Sequence, residues 1–212
     1  GPAWNGWAGR GVTNNRYQPE PGLAPADVPN LKLKWAFAIP GGTSSQPTVV
    51  GDRLFMPSMG GVAYALDART GCTYWAVDLG SPLRSAITIG KLPSGRAVAY
   101  MGDMHGVVHA LDAESGREIW RRTIDDHPST RLTGSVTLFE GRLYAPVSSF
   151  EERAAMDAGY ACCTFRGAVV ALDVRDGKAV WRAYPIPEEP RLMGKRPDGG
   201  ESWGPSGGRS EE

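Results

Sequence analysis

Residues 61 to 75 read GVAYALDARTGCTYW, and the same line returns at residues 106 to 120 as GVVHALDAESGREIW and at 167 to 181 as GAVVALDVRDGKAVW. The three align without gaps. Self-similarity of this kind outranks local propensity as a guide to fold, because it marks one supersecondary unit used repeatedly. Asp67, Asp112 and Asp173 each stand eight residues before Trp75, Trp120 and Trp181, and the aspartates recur 45 and then 61 residues apart. The third unit therefore carries an insertion of about 16 residues. Within the first copy, Val62, Tyr64 and Leu66 alternate with Ala63 and Ala65, the period-two pattern of a half-buried strand. The aspartate that follows can accept local backbone N–H groups, and Gly71, Gly116 and Gly177 supply the positive φ of a tight reversal. The Trp then opens a returning strand.

Upstream of each copy lies an apolar run, residues 47–56, 86–101 and 135–147, broken by turn residues such as Gly51-Asp52 or Glu140-Gly141. Each unit thus reads as about four short antiparallel strands, and the fold class is all-β, a β-propeller with three blades in view. Residues 31–39, LKLKWAFAI, set Trp35 before a short apolar run much as Trp181 stands before RAYPI. That stretch is expected to be a lone outer strand completing a blade built from elsewhere. The expected organisation is an extended arm over residues 1–30, a closing strand plus three blades over 31–184, and a Pro/Gly-rich loop over 185–212 leading to another blade. Propellers close with about four to eight blades, so the chain is expected to be a piece of a longer propeller or to associate with copies of itself. It does not begin with Met, which points to a mature form or a fragment.

Composition narrows the function classes. Lys plus Arg equals Asp plus Glu at 23 each, so no net field draws the chain to nucleic acid or an anionic membrane. No apolar stretch reaches the roughly 20 residues of a membrane span. Gly at 28 and Pro at 17 make about a fifth of the 212 residues, a load suited to many tight turns. No Walker loop, G-x-S-x-G or H-E-x-x-H occurs, and the three histidines lack the spacing of a transition-metal site.

The motif Ala-x-Asp-x-x-Thr-Gly-x-x-x-Trp resembles the tryptophan-docking motif of pyrroloquinoline quinone (PQQ) dehydrogenases. Ala65, Asp67, Thr70, Gly71 and Trp75 match it fully, while Ser115 and Asp176 replace the Thr in the later copies. Trp4, the run from Asn14 to Gln18 (NNRYQ) and the run from Asn30 to Trp35 are similar to the N-terminal entry of the family's alcohol dehydrogenases. With residues 160–167, YACCTFRG, the chain looks most like the polyvinyl alcohol dehydrogenase branch. The resemblance implies an eight-bladed quinoprotein propeller holding PQQ and Ca²⁺, periplasmic or secreted, oxidising an alcohol and passing electrons to a cytochrome c. It also implies that a carboxylate takes the hydroxyl proton while hydride moves to the quinone. No C-x-x-C-H is present, so no c-type haem is attached to this sequence. The family places its metal ligands and catalytic aspartate after a stretch resembling residues 203–207, and residues 209–212 do not match that continuation. A non-catalytic propeller scaffold for periplasmic protein assembly is the alternative, because the same repeat serves both. A sensor or carbohydrate-binding propeller is the third.

Several residues carry the chemistry that the resemblance implies. Cys162 and Cys163 lie at the end of the insertion, either as two small thiols or as a bridged ring of neighbours whose flat sulfur surface faces the quinone plane. Neighbouring cysteines lie closer than an ordinary disulfide allows. Arg166 offers a guanidinium fork to a quinone carboxylate. Glu151 and Glu152 offer hard oxygens, and Glu152 is the candidate ligand for cofactor and Ca²⁺. Thr133 and Ser135 at a blade entrance offer hydroxyl donors. Trp75, Trp120 and Trp181 read as structural, burying indole between blades with a carbonyl for the N–H. Trp203, outside the repeat, is a candidate for a cofactor floor, and Cys72 reads as a lone thiol.

Overall fold

The computed structural model describes residues 3–5 and 22–205. The run Asn14 to Gln18 and residues 206–212 lie outside the described residues. Strand β1 (Ala3–Trp4) lies against β2 (Thr48–Val50), and the sheet continues through β3 (Arg53–Pro57), β4 (Val62–Asp67) and β5 (Thr73–Asp78), each antiparallel to the last. The second blade is β6 (Thr88–Lys91), β7 (Ala97–Gly102), β8 (Val107–Asp112) and β9 (Glu118–Thr123) in the same order. In the third, β10 (Thr130–Arg131) and β11 (Thr137–Phe139) pair opposite ends of the long β12 (Arg142–Ser149), which continues to β13 (Ala168–Asp173) and β14 (Ala179–Ala183).

The aspartate of each copy does what its position demands. Asp67 Oδ1 accepts the amides of Arg69 and Thr70 and the Thr70 hydroxyl, and Asp112 does the same with Glu114 and Ser115. Just past each turn the register slips: Ala65 opposes Trp75 but Leu66 opposes Thr73, leaving Tyr74 bulged, and the same slip recurs at Ile119 and Val180. A bulge re-aims the side chains beside it, and the next residue in all three copies is the Trp.

The Trp rings join one blade to the next. Trp75 Nε1 donates to Ala113 O at 3.1 Å, and Trp120 Nε1 donates to Val174 O at 3.0 Å. Each acceptor follows the aspartate of the next copy. The ring lies on that copy's turn glycine, where an added Cβ would come within 2.9 Å of Trp75 at Gly116 and 2.6 Å of Trp120 at Gly177. These glycines also sit at φ +74° and +72°, so they are needed both for conformation and for close approach. A second tie runs between the first strands: Thr48 Oγ1 donates to Ile87 O and Thr88 Oγ1 to Val136 O. Between these ties lie two apolar layers. Phe55, Leu83, Ile87, Met101 and Leu111 fill the space between blades one and two. Tyr100, Val108, Leu132, Leu143 and Leu172 fill the space between blades two and three. Because β7 sends Val98 and Tyr100 to one layer and Ala99 and Met101 to the other, both its faces are buried and its sequence reads as a continuous apolar run.

Three expectations meet a different structure. Residues 31–39 form no strand, although burial still alternates through Trp35, Phe37 and Ile39. A ladder needs a second backbone, and no described strand lies beside this one. Trp35 nonetheless docks like the others, with Nε1 3.3 Å from Ala68 O and its ring over Gly71. Second, the loop expected from residue 185 onward carries a hairpin, β15 (Arg191–Lys195) and β16 (Glu201–Gly204), turning at Asp198-Gly199. Its Leu192 and Met193 are both exposed, so no apolar alternation marked it. Third, Trp181 is 38% exposed against 7% for Trp75 and 6% for Trp120. Its ring meets Tyr144 of its own blade at 5.8 Å, but no described turn lies across it.

Candidate functional site

The insertion between β12 and β13 leaves the sheet at Phe150, makes one short helical turn, α1 (Glu151–Ala154), and returns through the paired cysteines. Cys162 and Cys163 form a disulfide across a cis peptide, with Cα atoms 3.0 Å apart, while Cys72 is a free, exposed thiol. The pair is half-buried and held from two sides. On one side it runs beside β16: Cys162 N donates to Glu201 O, Trp203 N donates to Cys162 O, and Cys163 N donates to Trp203 O. Arg196 ties the hairpin to the insertion by donating to the carbonyls of Ala155, Asp157, Ala158 and Tyr160.

On the other side stands Glu151, only 3% exposed. Its carboxylate accepts the Tyr160 hydroxyl at 3.0 Å, the Thr164 amide at 2.8 Å, the Thr164 hydroxyl at 3.2 Å and the Phe165 amide at 2.8 Å. Those donors bracket the cysteines, so one buried carboxylate fixes the chain on both sides of the disulfide. A buried carboxylate is tolerated only when its lone pairs are satisfied, and four donors satisfy it. His127 completes the support. Its Nδ1 accepts the Ser129 amide, which leaves the proton on Nε2 for the Thr164 hydroxyl at 3.0 Å.

A pocket of about 160 Å³ opens beside this support, lined by Val147, Ser148, Ser149, Glu151, Glu152, Cys163, Phe165 and Gly167. A site that encloses a drug-sized ligand has at least about 300 Å³, so these residues form one wall against which part of a planar molecule can rest. The expected site residues fall unevenly around it. Cys163 and Glu152 line the wall, and Glu152 is exposed at its edge. Thr133 stands one step behind. Its hydroxyl lies 2.9 Å from Ser148 Oγ, and because Ser148 donates to Arg131 O, the Thr133 proton goes to Ser148. Ser135 Oγ instead accepts the Ala86 amide. Arg166 points away, donating to the carbonyls of Ile186 and Pro187 with its guanidinium 3.7 Å from the centre of the Tyr184 ring. Trp203 is half-buried and donates its Nε1 to Glu201.

The wall fits a planar aromatic molecule better than it fits calcium. Cys163 of the disulfide lines it beside Phe165 and Val147, and a disulfide sulfur has no hydrogen-bonding demand of its own. Calcium takes six to eight oxygens. Glu151 is committed to its donors, Glu152 alone is open, and among the described residues no three His, Cys, Asp or Glu side chains gather as a metal site. Sequence reasoning passed over Glu151 in favour of its neighbour. The signal that separates them is the first turn of α1, which sends one of two adjacent carboxylates inward.

A family model described as outer membrane protein assembly factor BamB, PQQ_2, matches residues 20–159. The chain is 48% identical to a polyvinylalcohol dehydrogenase from Pseudomonas sp. and 44% identical to one from Sphingopyxis sp. (strain 113P3), each over 97% of this chain and 32% of the relative. It spans about a third of the length of these relatives. Among solved structures, the quinohemoprotein alcohol dehydrogenase from Comamonas testosteroni aligns with a TM-score of 0.64 at 23% identity, covering 89% of this chain and 28% of that one. That likeness establishes the fold as a β-propeller of the quinoprotein alcohol dehydrogenase type. Among the described residues no helix is long and apolar enough to cross a membrane.

Proposed function

The chain belongs to the PQQ_2 family of propellers, and on that premise we propose that it is a segment of a PQQ- and calcium-dependent alcohol dehydrogenase, supplying the disulfide wall of the quinone site. The observation that carries this reading is the bridged Cys162–Cys163 pair, held on both sides, with its Cys163 lining a pocket. An assembly scaffold has no evident use for such a ring. The quinone, when bound, supplies the two-electron acceptor for oxidation of an alcohol. The residues of this chain hold and orient it. The disulfide offers a rigid apolar surface to one face of the ring system, and Glu151, Tyr160 and Thr164 keep that surface from shifting. The Ser148 hydroxyl lies at the pocket edge, oriented by Thr133. Glu152, the one open carboxylate at this wall, would offer a single oxygen to calcium, and the remaining ligands would have to come from elsewhere. Arg166 reaches a quinone carboxylate only by leaving the Ile186 and Pro187 carbonyls, so it acts after a local rearrangement. Polyvinyl alcohol, named in both relatives, is the substrate this reading favours, with a periplasmic or secreted location and a cytochrome c as electron acceptor.

The description of the matching family model favours a second reading, a non-catalytic scaffold for outer-membrane protein assembly. One titration separates the two. PQQ added to the protein with Ca²⁺ should quench Trp emission saturably, and the Cys162→Ser, Cys163→Ser double variant should bind about tenfold more weakly or worse, a loss of at least about 1.4 kcal/mol. Undiminished binding by the double variant removes the cysteines from the site. No saturable binding by the protein itself leaves the scaffold.

A further inference from the structure

Arg196 stands just past β15, at the turn into β16, with its side chain 14% exposed. Its guanidinium reaches back into the insertion. Nη1 donates to Ala155 O at 3.1 Å, and Nη2 donates to Asp157 O at 3.3 Å, Ala158 O at 3.2 Å and Tyr160 O at 3.1 Å. Nε makes no hydrogen bond, although Asp198 Oδ1 lies 3.3 Å from it. Four carbonyls therefore converge on one cation. Their negative ends repel one another, so the arrangement holds only while the cation stands between them. Among the described residues, only Asp157 O of the four also receives a backbone amide, from Tyr160.

The stretch that carries these carbonyls has little else to hold it. Residues 156–159 are exposed and belong to no strand or helix, and a segment with few buried apolar contacts opens easily. It leads straight into the disulfide, which bonds β16 through the amides of Cys162, Cys163 and Trp203. Arg196 thus holds the chain entering the disulfide, while Glu151 takes the amides of Thr164 and Phe165 that leave it. Room for the guanidinium is kept by Gly200, where an added Cβ would come within 2.5 Å of Ala158 O and nearer still to Arg196 Nη2. The duty suits arginine. Its five N–H groups form a rigid planar fork, whereas lysine offers one compact ammonium on a flexible stem.

We propose that Arg196 is a positioning residue for the disulfide wall: by gathering the carbonyls of Ala155, Asp157, Ala158 and Tyr160, it sets where Cys162 and Cys163 stand without itself touching the quinone. The proposal rests on the reading of that wall as a quinone surface, and its test separates the two. Amide hydrogen exchange of Cys162, Cys163 and Trp203, followed by NMR without PQQ or Ca²⁺, reads the clamp alone. Arg196→Ala should speed exchange at these amides about tenfold or more while β8 stays protected. Guanidinium ion, well below denaturing concentration, should restore the protection where sodium ion does not. Gly200→Ala keeps the arginine but wedges a Cβ beside its Nη2, and should speed the same amides. PQQ titration with Ca²⁺ reads the consequence: Arg196→Ala should bind about tenfold more weakly, and guanidinium should recover the loss in the variant while leaving the parent unchanged. An arginine that served stability alone would show no such rescue. Unchanged exchange at Cys162 and Cys163 in both variants would overturn the clamp, whatever PQQ does. Faster exchange with undiminished PQQ affinity would overturn the positioning role. If the parent itself binds no PQQ, the quinone reading falls and takes the role with it, while the exchange result still stands.

Discussion

The second and third copies of the repeat have nearly the same sequence and different surroundings. Trp120 and Trp181 stand at the same place, follow the same bulge and occupy the same position in the returning strand. Trp120 lies on Gly177 with its N–H on Val174 and is 6% exposed; Trp181 has its ring against Tyr144 of its own blade, no turn of the described residues lies across it, and it is 38% exposed. The inner strands repeat the contrast: Thr88 donates to Val136 O, whereas the equivalent Thr137 is exposed. Every residue of β14 is exposed, although β13 beside it is mostly buried. The motif therefore encodes one half of a joint. Its energy is released only where a neighbouring turn supplies the carbonyl and the glycine.

That contrast can be pressed by substitution, beginning with the largest change. Trp120→Ala should destabilise by about 3–5 kcal/mol, the usual cost of emptying a large aromatic site, read as a lower urea midpoint at unchanged slope. Gly177→Ala attacks the joint from the other side, forcing a Cβ to 2.6 Å from Trp120 at a φ of +72°. Left-handed strain and overpacking together should cost about 2–4 kcal/mol. Trp181→Ala should cost under about 1 kcal/mol. A cost equal to that of Trp120→Ala would mean that the motif stabilises through its own blade. The smallest effect is in the turn. The Tyr74 hydroxyl, then the Thr70 amide, lower the Asp67 carboxyl to about 2, against about 3.9 in an unfolded chain. A lowered carboxyl contributes stability above the unfolded value and loses it as pH falls through the folded one, so this contribution should vanish between about pH 4 and pH 2. A ¹³C titration of Asp67 should find its midpoint near 2, and Tyr74→Phe should move that midpoint upward.

The repeat was legible because each of its residues has a separate physical duty. Asp67 organises a turn, Gly71 takes positive φ, and Trp75 needs a carbonyl; no other residues do these jobs at that spacing. Position within the ring was not legible. Nothing in residues 167–181 distinguishes a docked Trp from an undocked one, because the distinction lies in the neighbour. Trp35 shows the converse: its partner, the Ala68–Gly71 turn, is present, so it docks although its segment forms no ladder. At the cysteines, sequence pointed to the pair but not to what holds it. Glu151 and Glu152 are indistinguishable as letters, and the inward turn of α1 separates them. His109 read as an incidental histidine because its aspartate, six residues earlier, reaches it only across the β7–β8 turn.

The central claim is that indole rings bind each blade to the next through a hydrogen bond closed off from water. Hydrogen exchange of the indole N–H groups, resolved by NMR, tests it most directly. The Trp75 and Trp120 Nε1 protons should be strongly protected, while that of Trp181 exchanges rapidly. Equal exchange at all three rings would contradict the account.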